Sequence, residues 1–509
     1  MKLLRRFLIW GVAAALVAGG VAAAGAYLVY TATATSNVGE LTFANRLSIP
    51  PLLKSEKDPQ GRKVFDLRLQ AGEAELIAGK STPTWGVNGP YLAPVLRASR
   101  GDEVLINVRN DLEDEATTLH WHGMDLPAAM DGGPHQLIRP GETWPATWTI
   151  DQPAATLWFH PHPHGSTADH VYRGIVGMFI IDDEASGALP LPSAYGVDDI
   201  PLIVQDKAFN DDGSLSERRP MFASFGPLGD EILVNGTHDP YFEATTSLVR
   251  FRILNSSPVR TYDFGFTDGR SFRVIATDSG LLRKAVETGR IQISPGERAE
   301  IVVSFSPGET ATLRSFGADL GQDFLSERLS GADDTFDILQ VRATASLAES
   351  PPLPERLADW EEPDIASVAA TPSFRLSGSS SINGKRMDMQ RIDHVVRAGS
   401  TEIWEVESGG GAHNFHVHLV RFLILDIDGE SPPPLLSGWK DTVQLMPGKR
   451  YRLLMTFAEY ADPTAPFMFH CHVLQHEDNG MMGQFIVIDE GDEPPGTVPS
   501  PRPEHDSDD

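Results

Sequence analysis

Histidines in this chain recur in pairs separated by one residue, and that spacing restricts the fold more than any other feature. The pairs are His120/His122, His160/His162, His162/His164, His416/His418 and His470/His472. With 16 histidines in 509 residues, chance gives about half of one such pair. In a β-strand, residues i and i+2 point to the same face, so each pair sets two imidazoles side by side. The pairs fall in two groups at opposite ends of the chain. If those ends meet, four pairs converge and hold several metal ions between them.

The rest of the chain reads as strands. Val87-Asn88-Gly89, Val234-Asn235-Gly236 and Ile382-Asn383-Gly384 place an Asn-Gly turn signal after an apolar residue, at intervals of 147 and 148. Such regularity predicts three similar units of domain size. Runs after each turn alternate apolar with polar residues: Glu103 to Val108, Leu248 to Ile253 and Glu402 to Val406. The 46 glycines and 38 prolines suit many turns and short strands, and no stretch of helical period dominates. The expectation is an all-β protein of packed sandwiches.

Cys471 is the one cysteine, so an intramolecular disulfide is impossible. It lies between His470 and His472. On a strand those two histidines face one way and the thiol the other, so one short segment ligates metals on both sides and joins them by covalent bonds. Cys471 with His476, Met481 and His413 makes a two-histidine, one-thiolate set with a weak thioether, the ligand set of blue copper.

Four motifs carry a family resemblance: His120-Trp121-His122-Gly123, Trp158-Phe159-His160-Pro161-His162, His413-Asn414-Phe415-His416-Val417-His418, and His470 through Met481. In this order they resemble the copper-binding motifs of multicopper oxidases, in the branch of bacterial copper-efflux oxidases and spore-coat laccases. The resemblance spans residues 45 to 490. It implies cupredoxin-like β-sandwich domains at 45–186, 195–346 and 373–490, with a Pro-, Glu- and Ala-rich linker at 347–372. It implies four copper ions. His413, Cys471 and His476 would bind the type 1 copper, with Met481 axial. His120 and His416 would bind the type 2 copper, and His122, His160, His162, His418, His470 and His472 the type 3 pair. His164 is left as solvent-facing or supporting, and Met482 as packing. Asp131 and Glu477 resemble the acids that deliver protons for oxygen reduction.

The implied activity is one-electron oxidation of a small reducing substrate, a phenol, an aromatic amine or a low-valent metal ion, coupled to four-electron reduction of O2 to water. A cuprous oxidase for copper tolerance is the alternative. Against it, residues 347–372 contain no methionine, and Gly409-Gly410-Gly411 precede the type 1 motif. Three glycines there suggest an open approach suited to bulky phenols. A non-catalytic envelope scaffold on the same fold is the alternative of another class, and the complete ligand set argues against it. A two-domain nitrite reductase or a simple electron carrier would not need all four motifs.

The ends of the chain concern location. Lys2, Arg5 and Arg6 precede an uncharged run from Phe7 to Tyr30, long enough to span a bilayer. Residues 1–36 therefore read as a cleaved signal peptide or a retained anchor through residues 7–30, with the body of the protein periplasmic or otherwise outside the cytoplasm. Residues 491–509 read as a disordered acidic tail. The net charge of −28 repels nucleic acid and anionic lipid, so neither is expected as a partner.

Overall fold

The computed structural model describes residues 35–216 and 226–498, together with residues 10, 19, 20, 25 and 27. Most of the predicted signal or anchor, and the tail from residue 499 onward, lie outside the described residues. Among the described residues, no helix is long and apolar enough to cross a membrane.

Alternating polarity produces strands, as expected. Glu103–Asn110 buries every second residue, because successive side chains leave a strand on opposite faces. Glu103–Asn110, Leu248–Asn255 and Thr401–Ser408 each run between one parallel and one antiparallel neighbour. The parallel partners are Lys63–Ile77, Asp199–Lys207 and Ser373–Ser377. The antiparallel partners are Thr143–Thr149, Arg298–Ser304 and Arg450–Thr456. The same three-strand motif thus occurs three times, and the protein is all-β, built of three cupredoxin-like sandwiches.

The Asn-Gly signals mark an equivalent contact in each sandwich. Asn88, Asn235 and Asn383 all have left-handed backbones, with φ of 55°, 52° and 52°. Asparagine tolerates that region better than most residues. Each side-chain oxygen accepts from a strand N–H: Arg68 (2.7 Å), Ile203 (2.8 Å) and Arg375 (2.8 Å). Each side-chain amide donates to the carbonyl two residues earlier: Asp66 (2.8 Å), Pro201 (2.9 Å) and Ser373 (2.9 Å). The amide group continues the ladder past the end of the neighbouring strand, at Val87, Val234 and Ile382, which is why the spacing repeats.

The apolar cores place the site. One continuous buried cluster runs from Phe65 and Trp121 in the first sandwich through Trp404, Phe415 and Phe485 in the third. The second sandwich has its own core, around Phe251, Ile301 and Leu339. The first and third units are therefore fused through shared packing. The strand His120–His122 forms the edge of a four-stranded sheet in the first unit. His413–Val417 and Asp462–His470 lie side by side in a five-stranded sheet of the third.

Two boundaries differ from the sequence reading. Asn45–Arg46 pairs with Pro240–Thr246 and so belongs to the second sandwich. The predicted linker is partly structured: Val368–Ala370 joins the third sandwich beside Thr401, and the Trp360 indole donates to the Leu281 carbonyl (3.2 Å).

Replacing Asn235 by Ala removes the clamp on Pro201 and Ile203 while leaving a left-handed residue. The expected loss is about 2–4 kcal/mol, seen as an earlier unfolding transition in urea. An unchanged midpoint would mean that the clamp is incidental.

Candidate metal centre

His120–His122 pairs antiparallel with Ala155–His160, which sets His120 opposite His160 and His122 opposite Trp158. Pro161 has no N–H to extend that ladder, and the strand ends at His160. His162 lies just beyond, with its backbone N–H held by the Thr118 hydroxyl (2.7 Å). In the third sandwich His416 sits opposite His470. His418 and His472 likewise follow the ends of their strands. Each pair thus begins on a strand, but only His120 and His122 lie wholly within one.

These elements bring eight imidazoles into one nest at the seam between the first and third sandwiches. His120, His122, His160, His162, His416, His418, His470 and His472 are all buried, none more than 1% exposed. Nε2 of His470 lies 3.2 Å from Nε2 of His162 and 3.3 Å from Nε2 of His418. The outer nitrogens of these rings meet carboxylates. His418 Nδ1 is 2.7 Å from Asp131, and His162 and His470 Nδ1 are 3.2 and 3.1 Å from the two oxygens of Glu477. The bonds of His418 Nδ1 to Asp131 and of His470 Nδ1 to the Cys471 carbonyl (3.2 Å) hold those nitrogens as donors and leave the Nε2 lone pairs facing inward.

Three of the other five rings follow the same logic. His120 and His416 give their Nδ1 protons to the carbonyls of Asp131 (2.9 Å) and Asp441 (2.8 Å), and His160 gives its own to Pro161 (2.8 Å). His122 is reversed: its Nε2 meets the Asp441 carboxylate (3.0 Å). The inward atoms, Nε2 of His120, His160 and His416, Nδ1 of His122 and both nitrogens of His472, are buried with no hydrogen-bond partner among the described residues. Each such atom costs about 1–3 kcal/mol if left unsatisfied. Burial, reinforced by the neighbouring imidazoles, pushes the pKa values of His122, His160, His416, His418 and His472 well below the usual range. Those five rings are neutral and offer lone pairs, which is what a soft or borderline cation requires.

A second site lies across the backbone from the nest. Cys471 Sγ is 3.7 Å from His413 Nδ1 and 3.6 Å from His476 Nδ1, and those two nitrogens are 3.2 Å apart. His413 and His416 are three residues apart on one strand, so they face opposite ways: His413 toward the thiol, His416 toward the nest. Burial pushes the Cys471 thiol up to about 12, so a bound cation is needed to hold the thiolate. Burial lowers His413 to about 4 and His476 to about 3. Met481 is buried next to this site, and its carbonyl accepts from the Cys471 N–H (3.1 Å).

The remaining expectations are placed as follows. His164 is exposed, and Met482 packs in the strand paired with His470. Asp131 and Glu477 touch ring nitrogens of the nest. Glu477 is buried, and its carboxylate faces the Nδ1 atoms of His162 and His470. Gly409 and Gly410 are exposed, with open space over Gly410. Gly410 and Gly411 have φ of 133° and 88°, and they form a tight turn in which the Ser408 hydroxyl caps the Gly411 carbonyl (3.0 Å). Beside His413 is a slot of only about 20 Å³, walled by Val259, Leu320, Ala412 and Val473. Sequence reasoning missed Asp441 and Arg298, which sit behind His122 and His416; no local pattern marks either.

A seam of neutral buried imidazoles beside a His-Cys-His trio, on stacked cupredoxin-like sandwiches, defines a copper-type metalloprotein. The comparisons agree. Two family models described as multicopper oxidase match residues 68–186 and 358–491. Multicopper oxidase mco of Staphylococcus haemolyticus (strain JCSC1435) is 35% identical over 452 residues, 87% of this chain and 92% of the relative. Cell division protein FtsP of Dickeya dadantii (strain 3937) is 35% identical, over 87% of this chain and 92% of its own. The solved laccase-like multi-copper oxidase CueO of Ochrobactrum sp. aligns with a TM-score of 0.79 at 36% identity, over 87% of this chain and 100% of that one. The chain belongs to the multicopper oxidase family.

The orphaned nitrogens predict that metal binds and stabilises. Copper at about 100 times its dissociation constant should add about 2.7 kcal/mol per site, read as a higher unfolding temperature that a chelator reverses. No shift on loading would count against a metal nest.

Proposed function

We propose that the protein is a laccase-like oxidase, coupling one-electron oxidation of a small reducing substrate at a type 1 copper to four-electron reduction of O2 to water at a trinuclear copper cluster. The observation that carries this reading is the segment His470-Cys471-His472. Its two histidines reach the nest while its thiol faces His413 and His476, as the ring contacts and sulfur distances indicate. Electrons entering at Cys471 therefore have a covalent backbone path to both halves of the nest.

His413, Cys471 and His476, with Met481, would hold the type 1 copper. His120 and His416 would hold the type 2 ion; His122, His160, His162, His418, His470 and His472 would hold the type 3 pair. Copper supplies the one-electron redox chemistry that these side chains lack. The protein's own groups orient the rings and exclude water. Asp131 accepts from His418 and Glu477 faces the Nδ1 atoms of His162 and His470 at 3.2 and 3.1 Å, and we assign both acids the further task of passing protons to the nest.

The substrate meets a narrow slot at His413. A cavity of about 20 Å³ has room for roughly one water, so a reductant approaches edge-on rather than by inserting a ring. Phenols, aromatic amines and low-valent metal ions such as Cu(I) all meet that condition. The Ochrobactrum relative is described with oxidase activity towards lignin model compounds, which supports phenols. The uncharged run from Phe7 to Tyr30 supports a location outside the cytoplasm. The likeness to a cell division protein supports a scaffold as the second reading, but a scaffold needs no buried set of ten histidines and a cysteine.

Oxygen uptake by the copper-loaded protein, driven separately by a substituted phenol and by Cu(I), tests the function. Phenol-driven uptake supports the laccase-like reading, uptake with Cu(I) alone makes the enzyme a metal oxidase, and no uptake with either favours the scaffold. Cys471→Ser should abolish the blue absorption and the oxidase activity; a variant that stays blue would refute the thiolate assignment. Met481→Leu should keep the colour and raise the potential of that copper, because a weak donor to Cu(II) is lost. A redox titration showing a fall would exclude Met481 as the axial group.

A further inference from the structure

We infer that Arg298, from the sandwich that contributes no metal-binding side chain, is the positioning residue that fixes the tautomer and orientation of His122 and His416. The inference rests on the copper reading above. Arg298 and Asp441 are both fully buried and form a two-pronged ion pair, NH1 to Oδ1 and NH2 to Oδ2, each 2.7 Å. The other guanidinium donors are also occupied. Nε donates to the Thr156 carbonyl of the first sandwich (2.9 Å), NH1 to Gly296 (3.2 Å) and NH2 to Asp278 (2.8 Å). All five N–H groups are satisfied, so the group has one orientation. It ties together all three sandwiches.

Asp441 transmits that orientation to the nest. Its Oδ1 meets His122 Nε2 (3.0 Å) and the Thr442 hydroxyl (2.9 Å), its Oδ2 the Ser279 hydroxyl (3.0 Å), and its carbonyl His416 Nδ1 (2.8 Å). The proton of each imidazole is therefore held on the outer nitrogen, and the inner one, Nδ1 of His122 or Nε2 of His416, keeps its lone pair. The two rings stack 3.7 Å apart, tilted by 11°, so they move together. Gly123 gives independent support. A Cβ there would fall 2.5 Å from Asp441 Oδ2 and 2.9 Å from Arg298 NH2, so the residue after His122 must lack a side chain for the pair to fit. Lysine cannot reproduce a two-pronged bond, and a buried Asp441 without its arginine would be an uncompensated charge.

The test uses the full chain with Arg298→Lys and, as a second variant, Asp441→Asn. Copper is titrated into the metal-free protein against a chelator, and the blue absorption of the Cys471 site serves as an internal control of folding. The expected result is an intact blue band, with copper affinity at the nest weakened about 10- to 100-fold. The paramagnetic resonance signal of the nest copper should be altered. Wild-type nest affinity in both variants overturns the inference. So does loss of the blue band together with the nest in both, since that marks a general strut. A wild-type protein that takes up no nest copper would instead sink the oxidase reading.

Discussion

Everything in this protein answers to one unfavourable arrangement: lone pairs of neutral, buried imidazoles pointing at one another. Nε2 of His470 sits 3.2 Å from that of His162 and 3.3 Å from that of His418. Such an arrangement persists only where the surrounding packing leaves the rings no alternative. The packing is a core shared by the first and third sandwiches, and the outer ring nitrogens are pinned by Asp131, Glu477, Asp441 and backbone carbonyls. A cation in the nest converts the repulsion into ligation, so the fold and the chemistry have the same origin.

The second sandwich contributes differently. It has a separate core and supplies none of the proposed ligands, yet its strand Arg298–Ser304 starts at the residue that grips Asp441. Lys440, next to Asp441, pairs with Asp278 and Glu297 of the second sandwich, each at 2.9 Å. Buried ion pairs add little net stability but are strongly disfavoured when broken. They therefore favour one docking of the three units over others, and that docking aligns the histidines.

Much of the site was legible because the relevant periodicity is local. That i and i+2 share a face, and that i and i+3 do not, is a property of an extended backbone. That reading sets Cys471 on the other face from His470 and His472, and His413 on the other face from His416. The Asn-Gly intervals were legible for a similar reason: a left-handed residue with an amide side chain is a local solution, repeated once per sandwich. A turn residue and a clearance residue look alike in a sequence, so Gly409-Gly410-Gly411 does not reveal the width of the approach to His413. The wall made by Leu320 and Val259 comes from distant parts of the chain.

The sequence by itself determined the one-residue spacing of the histidines, the number of sandwiches and the place of the thiol between His470 and His472. Tertiary structure alone decided which nitrogen of each imidazole faces inward. That choice depends on partners such as Asp441, 319 residues from His122, and Arg298, 143 residues from Asp441. A hydrogen bond between such distant residues leaves no spacing to read, because packing rather than backbone geometry brings them together. The same holds for the width of the slot at His413, which no run of neighbouring residues specifies.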